Sequence, residues 1–157
     1  MGLKTFKGGV HPYDGKALSK DKPTLAVLPK GDLVFPMAGQ HLGAPAKPIV
    51  NVGDKVLMGQ RIAEAGGFIS AHIASSVSGT VKAITQHRIP NSGMSQAIII
   101  ENDHEYTPAE GVGVKRDYTK MSKEEIRAAI KDAGVVGMGG AGFPTHVKMT
   151  PKDDSKI

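Results

Sequence analysis

The chain has 157 residues, no cysteine and a formal net charge of +5, which bounds it to one ordinary domain, or one small domain and a piece of another. Without cysteine, disulfides and thiolate-held metal or iron–sulfur clusters are excluded within these residues, and no apolar run approaches the roughly 20 residues that a spanning helix needs. Twenty glycines and ten prolines, against three tyrosines, four phenylalanines and no tryptophan, point to a turn-rich β protein with a core of Val, Ile, Leu, Ala and Met.

Residues 1–32 are polar and broken by Pro and Gly, and read as a basic N-terminal arm. Lys4, Lys7, Lys16, Lys20, Lys22 and Lys30 are balanced only by Asp14 and Asp21, which places +4 of the +5 net charge in residues 1–30. Such an arm suits nucleic acid, anionic lipid or an acidic partner, or is a solvated leader. Only Phe6 and Tyr13 are available for base stacking, so nucleic acid is not expected. The opening MGLKTFKGGVHP has no apolar h-region, so no secretory signal is expected. The reading is a cytosolic chain that meets a membrane only through a partner.

From Leu33 the texture changes to short apolar runs between turn signals, the pattern of a small all-β unit. Strands are predicted at Leu33–Phe35, Pro48–Asn51, Lys55–Leu57, Arg61–Ala65, His72–Ala74, Gly79–Thr85 and Ala97–Glu101. Turns are predicted at Gly53-Asp54, Gly59-Gln60, Gly66-Gly67, Ser78-Gly79 and Asn91-Ser92-Gly93, where Gly or Asn tolerates positive φ. A strand–turn–strand unit recurs loosely on either side of Gly66-Gly67, which predicts two similar halves closing a flattened barrel over residues 33–101.

VGDKVLMGQ and SGTVKAI, at the two ends of Val52–Ile84, resemble the small β-sandwich domains that carry biotin or lipoate on a hairpin lysine. Here the hairpin tip reads EAGGFISAHI, and no lysine stands between Arg61 and Lys82. A carrier without its lysine cannot be loaded through an amide bond. The tip is therefore expected to be a fixed contact, with Gly66 and Gly67 turning the chain and Phe68 and Ile69 giving an apolar surface.

Residues 102–121 mix charge with two glycines and read as a linker. SKEEIRAAIKDAG then predicts a helix. Ser122 is the N-cap, Glu125 completes a capping box, Ile126, Ala129 and Ile130 share a face, and Gly134 takes the C′ position. Glu124 and Glu125 near its start and Lys131 near its end agree with the helix dipole.

GVVGMGGAGFPTHVK, Gly134 to Lys148, holds the strongest chemical signal. Gly137, Gly139 and Gly142 satisfy G-x-G-x-x-G, but a helix leads into the loop and Pro144 follows it, the reverse of the usual dinucleotide context. Phe143 stands where a phosphate-binding P-loop would carry lysine. Glycines still clear one surface for close approach of a ligand to backbone N–H groups. Pro144 suits the first turn of a short helix, with its N-terminus toward the ligand and Lys148 about one turn along. The alternative is a tight crossing of two backbones that needs small residues.

GMGGAGFPTHVK is similar to the glycine-rich loop of the flavin- and NADH-binding subunit of respiratory complex I, and more closely to that of the RnfC family. RnfC is the peripheral subunit of the Rnf ion-translocating ferredoxin:NAD oxidoreductase. TFKGGVHP, GQHLGAPAKPIV, VGDKVLMGQRIAEAGGFISA and SVSGTVKAI resemble RnfC in the same order, so the resemblance covers nearly the whole chain. It implies a mainly β chain: a barrel-sandwich hybrid domain over 33–101, a linker over 102–121, and from 122 to 157 the truncated start of an α/β FMN/NADH-binding domain. It implies that Gly137, Gly139, Gly140, Ala141, Gly142, Phe143 and Lys148 lie against the nucleotide. FMN and NADH are then cofactors of the full-length parent, not expected to be held by this fragment. Two cysteine-ligated 4Fe–4S clusters would follow beyond Ile157, so the sequence is expected to be the N-terminal piece of a longer protein. The implied partners are the other Rnf subunits, at the cytoplasmic face of the cell membrane, with no direct membrane span.

His11, His41, His72, His87, His104 and His146 show no metal-ligand spacing, so no metal site is expected. His41 and His11 read as hydrogen-bonded loop residues, and His146, following the glycine loop, is a weaker candidate for approaching a nucleotide. Ser70, Ser75, Ser76 and Ser78 have no paired base, so nucleophilic catalysis is unsupported and no catalytic residue is assigned. Two other classes stand beside the electron-transfer reading: a non-catalytic barrel that docks to a partner, and the barrel-bearing subunit of a sodium-pumping quinone reductase.

Overall fold

The computed structural model describes residues 13, 15–23, 29–90 and 93–153. Most of the basic arm, including TFKGGVHP and His11, lies outside the described residues, as do Asn91 and Ser92 of the last expected turn and the final four residues.

Among the described residues seven strands form the barrel: β1 (Leu33–Pro36), β2 (Lys47–Pro48), β3 (Lys55–Val56), β4 (Arg61–Glu64), β5 (Ile73–Ala74), β6 (Gly79–Arg88) and β7 (Met94–Asn102). They make a four-stranded sheet in the order β1-β7-β6-β3 and a three-stranded sheet in the order β2-β4-β5. Every pairing between these strands is antiparallel. The expected halves do not separate, because each sheet takes strands from both sides of Gly66-Gly67. One core cluster joins the sheets. Phe35, Val56, Val81, Ile98 and Ile100 come from the larger sheet and Ile62, Ala63 and Ile73 from the smaller, with Met37 and Val77 from the connections.

The two longest strands exceed their expected lengths. β6 runs to Arg88 and β7 starts at Met94, so the pair continues beyond the core as a two-stranded ribbon. Thr85 to Arg88 are exposed there, and cross-strand hydrogen bonds hold the ribbon without the burial that hydrophobic alternation reports. A register shift between Val81 and Ala83 leaves Lys82 as the extra residue. It keeps Val81 opposite Ile100 and Ile84 opposite Ile98, so both inward pairs stay aligned. Lys82 turns outward to Asp32, 2.7 Å away.

The chain after β7 is strapped back onto the barrel. The Ser78 hydroxyl, almost fully buried, donates to Asp103 Oδ1 at 2.7 Å and accepts from the Thr107 amide at 2.9 Å. Met58 then pairs across to this segment, donating to the Thr107 carbonyl at 2.9 Å and accepting from the Ala109 amide at 2.8 Å. Asn102 and the Tyr106 hydroxyl both donate to the Pro29 carbonyl, which ties the end of the arm to the same place.

Helix α1 (Lys123–Asp132) begins at the Ser122 cap with both hydrogen bonds of the capping box in place. It ends in a full Schellman motif: Gly134 N–H donates to the Lys131 carbonyl and Val135 N–H to that of Ile130. A four-residue helix, α2 (Thr145–Lys148), follows Pro144, which is its N-cap rather than a residue of its first turn. Arg127 Nε joins the two helices by donating to the Met149 carbonyl at 2.6 Å. Among the described residues no helix is long and apolar enough to cross a membrane.

Candidate functional site

The glycine loop is closed at its base. Gly137 N–H donates to the Phe143 carbonyl at 3.0 Å and Thr145 N–H to the Val135 carbonyl at 3.0 Å, around an antiparallel bridge between Val136 and Pro144. The first amide of α2 is thereby engaged within the chain and does not point at a ligand.

Gly137, Phe143 and Lys148 meet at that base. The Lys148 ammonium lies 2.6 Å from where a Gly137 side chain would begin and 5.9 Å from the centre of the Phe143 ring. The ammonium-to-ring distance sits at the outer limit of a cation–π contact. Gly142 is the loop's seat on the barrel. Its φ is +66°, a methyl group there would stand 2.8 Å from the Gln40 carbonyl oxygen, and its own carbonyl accepts from the Leu42 amide at 3.2 Å. Gly139, Gly140 and Ala141 form the exposed tip, beside a Met138 that is 97% exposed. Nothing lies within 4 Å of a side chain built at Gly139 or Gly140. Among the described residues the amides of Gly139 to Ala141 form no backbone hydrogen bond.

Ligand approach and backbone crossing therefore divide the loop between them. Crossing accounts for glycine at 142, where the Gln40–His41 backbone leaves no room, whereas at 137 the close neighbour is the movable end of the Lys148 side chain. It does not account for 139 and 140, which are bare.

Three histidines that sequence spacing leaves apart converge where the helical segment meets the barrel. His146 is 8% exposed, near the Phe68 backbone of the hairpin tip. Burial pushes its pKa below the ordinary value, with the Phe68 backbone opposing the effect and Lys131 adding to it. His72 Nδ1 accepts from the Ala65 amide at 3.1 Å, which fixes a neutral ring. Burial first, then the nearby Arg61 and Lys131 charges, holds its pKa down. The His72 carbonyl abuts Gly134, where any side chain would clash. Among the described residues the Nε2 of the buried His41 has no hydrogen-bond partner. The Arg61–Asp132 ion pair, 3.1 Å, bridges β4 to the end of α1. No local sequence pattern points to this convergence, because the contacts that join the helical segment to the barrel, Gly134 on the His72 carbonyl and Arg61 to Asp132, are remote along the chain.

A cleft of about 870 Å³ runs between α1 and the small sheet and includes Gln60, Arg61, His72, Arg116 and Asp132. None of the seven loop residues lines it. Among the described residues no three acidic, His or Cys side chains gather as a metal site.

Two antiparallel sheets closed over one core, with a hairpin tip between β4 and β5, define a barrel-sandwich hybrid. The family model described as the RnfC barrel sandwich hybrid domain matches residues 4–105. The chain belongs to the RnfC family. It is 44% identical over 155 residues to the C subunit of the proton-translocating ferredoxin:NAD(+) oxidoreductase complex of Clostridium ljungdahlii, covering 99% of this chain and 34% of that protein. It is 37% identical over 153 residues to the C subunit of the Na(+)-translocating ferredoxin:NAD(+) oxidoreductase complex of Acetobacterium woodii, covering 98% and 34%. With the C subunit of the ion-translocating oxidoreductase complex of Pectobacterium atrosepticum it shares 38% over 146 residues, covering 92% and 21%. The chain thus spans about a third of the first two relatives.

Proposed function

We propose that the chain is the N-terminal part of an electron-transfer subunit in a membrane-bound complex that couples electron flow between ferredoxin and NAD to ion translocation. The observation that carries this is similarity over nearly the whole chain to relatives of that name. In this reading residues 33–101 are the barrel, 102–121 connect, and 122–157 begin the FMN/NADH-binding domain. Gly139, Gly140 and Ala141 would let a flat ring system approach the backbone, and Lys148 would place a positive charge near a phosphate or a flavin edge. Flavin, when bound, supplies the hydride and electron chemistry; these residues bind and orient it. With no cysteine, these residues cannot hold the 4Fe–4S clusters, which belong to residues beyond this chain. In the same reading the subunit is peripheral, at the cytoplasmic face, and docked to membrane subunits.

The test uses the full-length protein. Bound flavin and NADH-dependent reduction of an artificial acceptor are expected, and Gly140→Val should weaken NADH or flavin binding by about ten-fold or more by blocking close approach. A full-length protein without flavin or NADH oxidation, in the presence of its partner subunits, overturns the reading.

A further inference from the structure

The larger sheet has an edge that its own strands leave open. β3 pairs with β6 only at Gly79 and Thr80. The turn before β3 adds two bonds at Val81, whose carbonyl accepts from Gly53 N–H and whose N–H donates to the Asp54 carbonyl, each at 2.8 Å. From Lys82 to Arg88, among the described residues, no strand pairs with that side of β6. Register fixes which backbone groups face it. The Gln96 carbonyl accepts from Met37 N–H at 2.8 Å, so Gln96 faces the β1 side of β7. Gln86, opposite Gln96, therefore faces away from β7, and Ile84 and Arg88 share its direction by the alternation of an antiparallel ladder. Of their carbonyls and amides, only the Arg88 carbonyl has a partner among the described residues, the His87 ring Nδ1 at 2.9 Å.

Open edges are ordinarily guarded by proline, lysine or a bulge. Here the guards stand at the ends: Lys82 carries the bulge but turns to Asp32, and Pro90 follows the strand. From Ala83 to Gln86 there is no charge, proline or bulge. The surroundings are basic. No Asp or Glu occurs from Gly79 to Ile100. The exposed Arg88 and Lys55 have no ion-pair partner among the described residues.

We propose that the Ile84–Arg88 edge of β6 is a docking site for an extended, acidic segment of a partner subunit, added to the larger sheet as a further strand. Backbone bonds at Ile84, Gln86 and Arg88 supply affinity, and Arg88 and Lys55 select acidic side chains. A second copy of this chain would instead bring two basic edges together. That the partner belongs to the same complex rests on the proposed function; the open edge does not.

Residue-resolved amide exchange on the full-length subunit, alone and in the assembled complex, tests this. Alone, Ile84, Gln86 and Arg88 should exchange about ten-fold or more faster than Thr85 and His87, whose amides face β7. In the complex, Gln86 and Arg88 should slow by about ten-fold or more. Two variants should each weaken binding to the partner subunit about ten-fold: Gln86→Pro, which removes an N–H that the β6–β7 ladder does not use, and the double variant Lys55→Glu, Arg88→Glu. If Gln86→Pro does not fold, the charge-reversed protein decides.

Even exchange along Ile84–Arg88 in the subunit alone overturns the open edge. Unchanged Gln86 and Arg88 exchange in the complex, or wild-type binding by the folded variants, overturns the docking site. Slowing that follows subunit concentration without partners assigns the edge to a second copy, and slowing by anionic phospholipid vesicles alone assigns it to lipid; either overturns the proposal. A subunit that joins no complex removes the proposed function. The edge is then decided by an octapeptide alternating Val and Glu, which at about 1 mM should slow Gln86 exchange about two-fold while a Val–Lys octapeptide does not; no slowing overturns it.

Discussion

Gly134 meets two demands at one position. It closes α1 in a left-handed conformation, φ +64°, and it lets the His72 carbonyl of the barrel approach where any side chain would clash. The first demand is local, and the capping pattern in the sequence announces it. The second comes from a residue about sixty positions earlier and leaves no trace in local pattern. Gly134→Ala should therefore destabilise the protein beyond the about 1–2 kcal/mol of left-handed strain alone, measured by urea unfolding. A loss confined to that strain would mean that the barrel contact yields easily. Ser78 is the other residue where several bonds converge. Ser78→Ala strands the Thr107 amide and removes a hydrogen bond from Asp103, and should cost about 1–3 kcal/mol by the same measurement. Local pattern makes Ser78 a turn residue, which it is; that its hydroxyl also organises the next segment depends on a fold-back that sequence does not display.

At the scale of elements, the β6–β7 hairpin and α1 are the most legible, because alternation around Val81, Ile98 and Ile100 and the Ser122–Glu125 cap are short-range signals. The ends of the hairpin are less so. Its outer ribbon is polar, and hydrophobic patterning is silent where a strand is stabilised by pairing alone. The helical segment and the hairpin tip share an interface whose stability depends on pH. His72 and His146 both have pKa values held below the ordinary 6.5, chiefly by burial. The charged groups around His72 are Arg61, Lys131, Asp132 and Glu64, and Lys131 also bears on His146. A depressed histidine contributes stability that is present above its unfolded pKa and lost as pH falls through the folded one. Thermal stability should thus begin to fall below pH 6.5. Asp103 and Glu125, whose ordinary values of 3.8 and 4.5 are further lowered by hydrogen bonds from Ser78 and Ser122, act only at lower pH. In a His72→Gln, His146→Gln protein the upper part of this slope should flatten; an unchanged slope there would refute the assignment.

For the whole molecule, the barrel is legible in the sequence and the way its parts are joined is not. Strand positions, the missing lysine and the glycine loop can be read along the chain. The seating of Gly142 on Gln40 and of His146 on Phe68 cannot, because those are long-range contacts to backbone. Phe68 is 71% exposed even with α2 beside it, so the apolar character of the tip is only partly used by the described residues. The glycine loop is divided in the same way, with close-packed ends and a bare centre.

The strap from Asn102 to Ala109 bears on how this domain can be inherited or transplanted. A cut after residue 101, where the last strand pattern fades, would sever the barrel from its own fastening and leave the Ser78 hydroxyl and the Met58 backbone without partners. The natural seam lies later, past Ala109. A fragment spanning 29–112 should fold with a markedly higher unfolding midpoint than one spanning 29–101, and equal midpoints by circular dichroism would show the strap to be dispensable. A gene that borrowed this barrel for another purpose would be expected to carry the strap along with it.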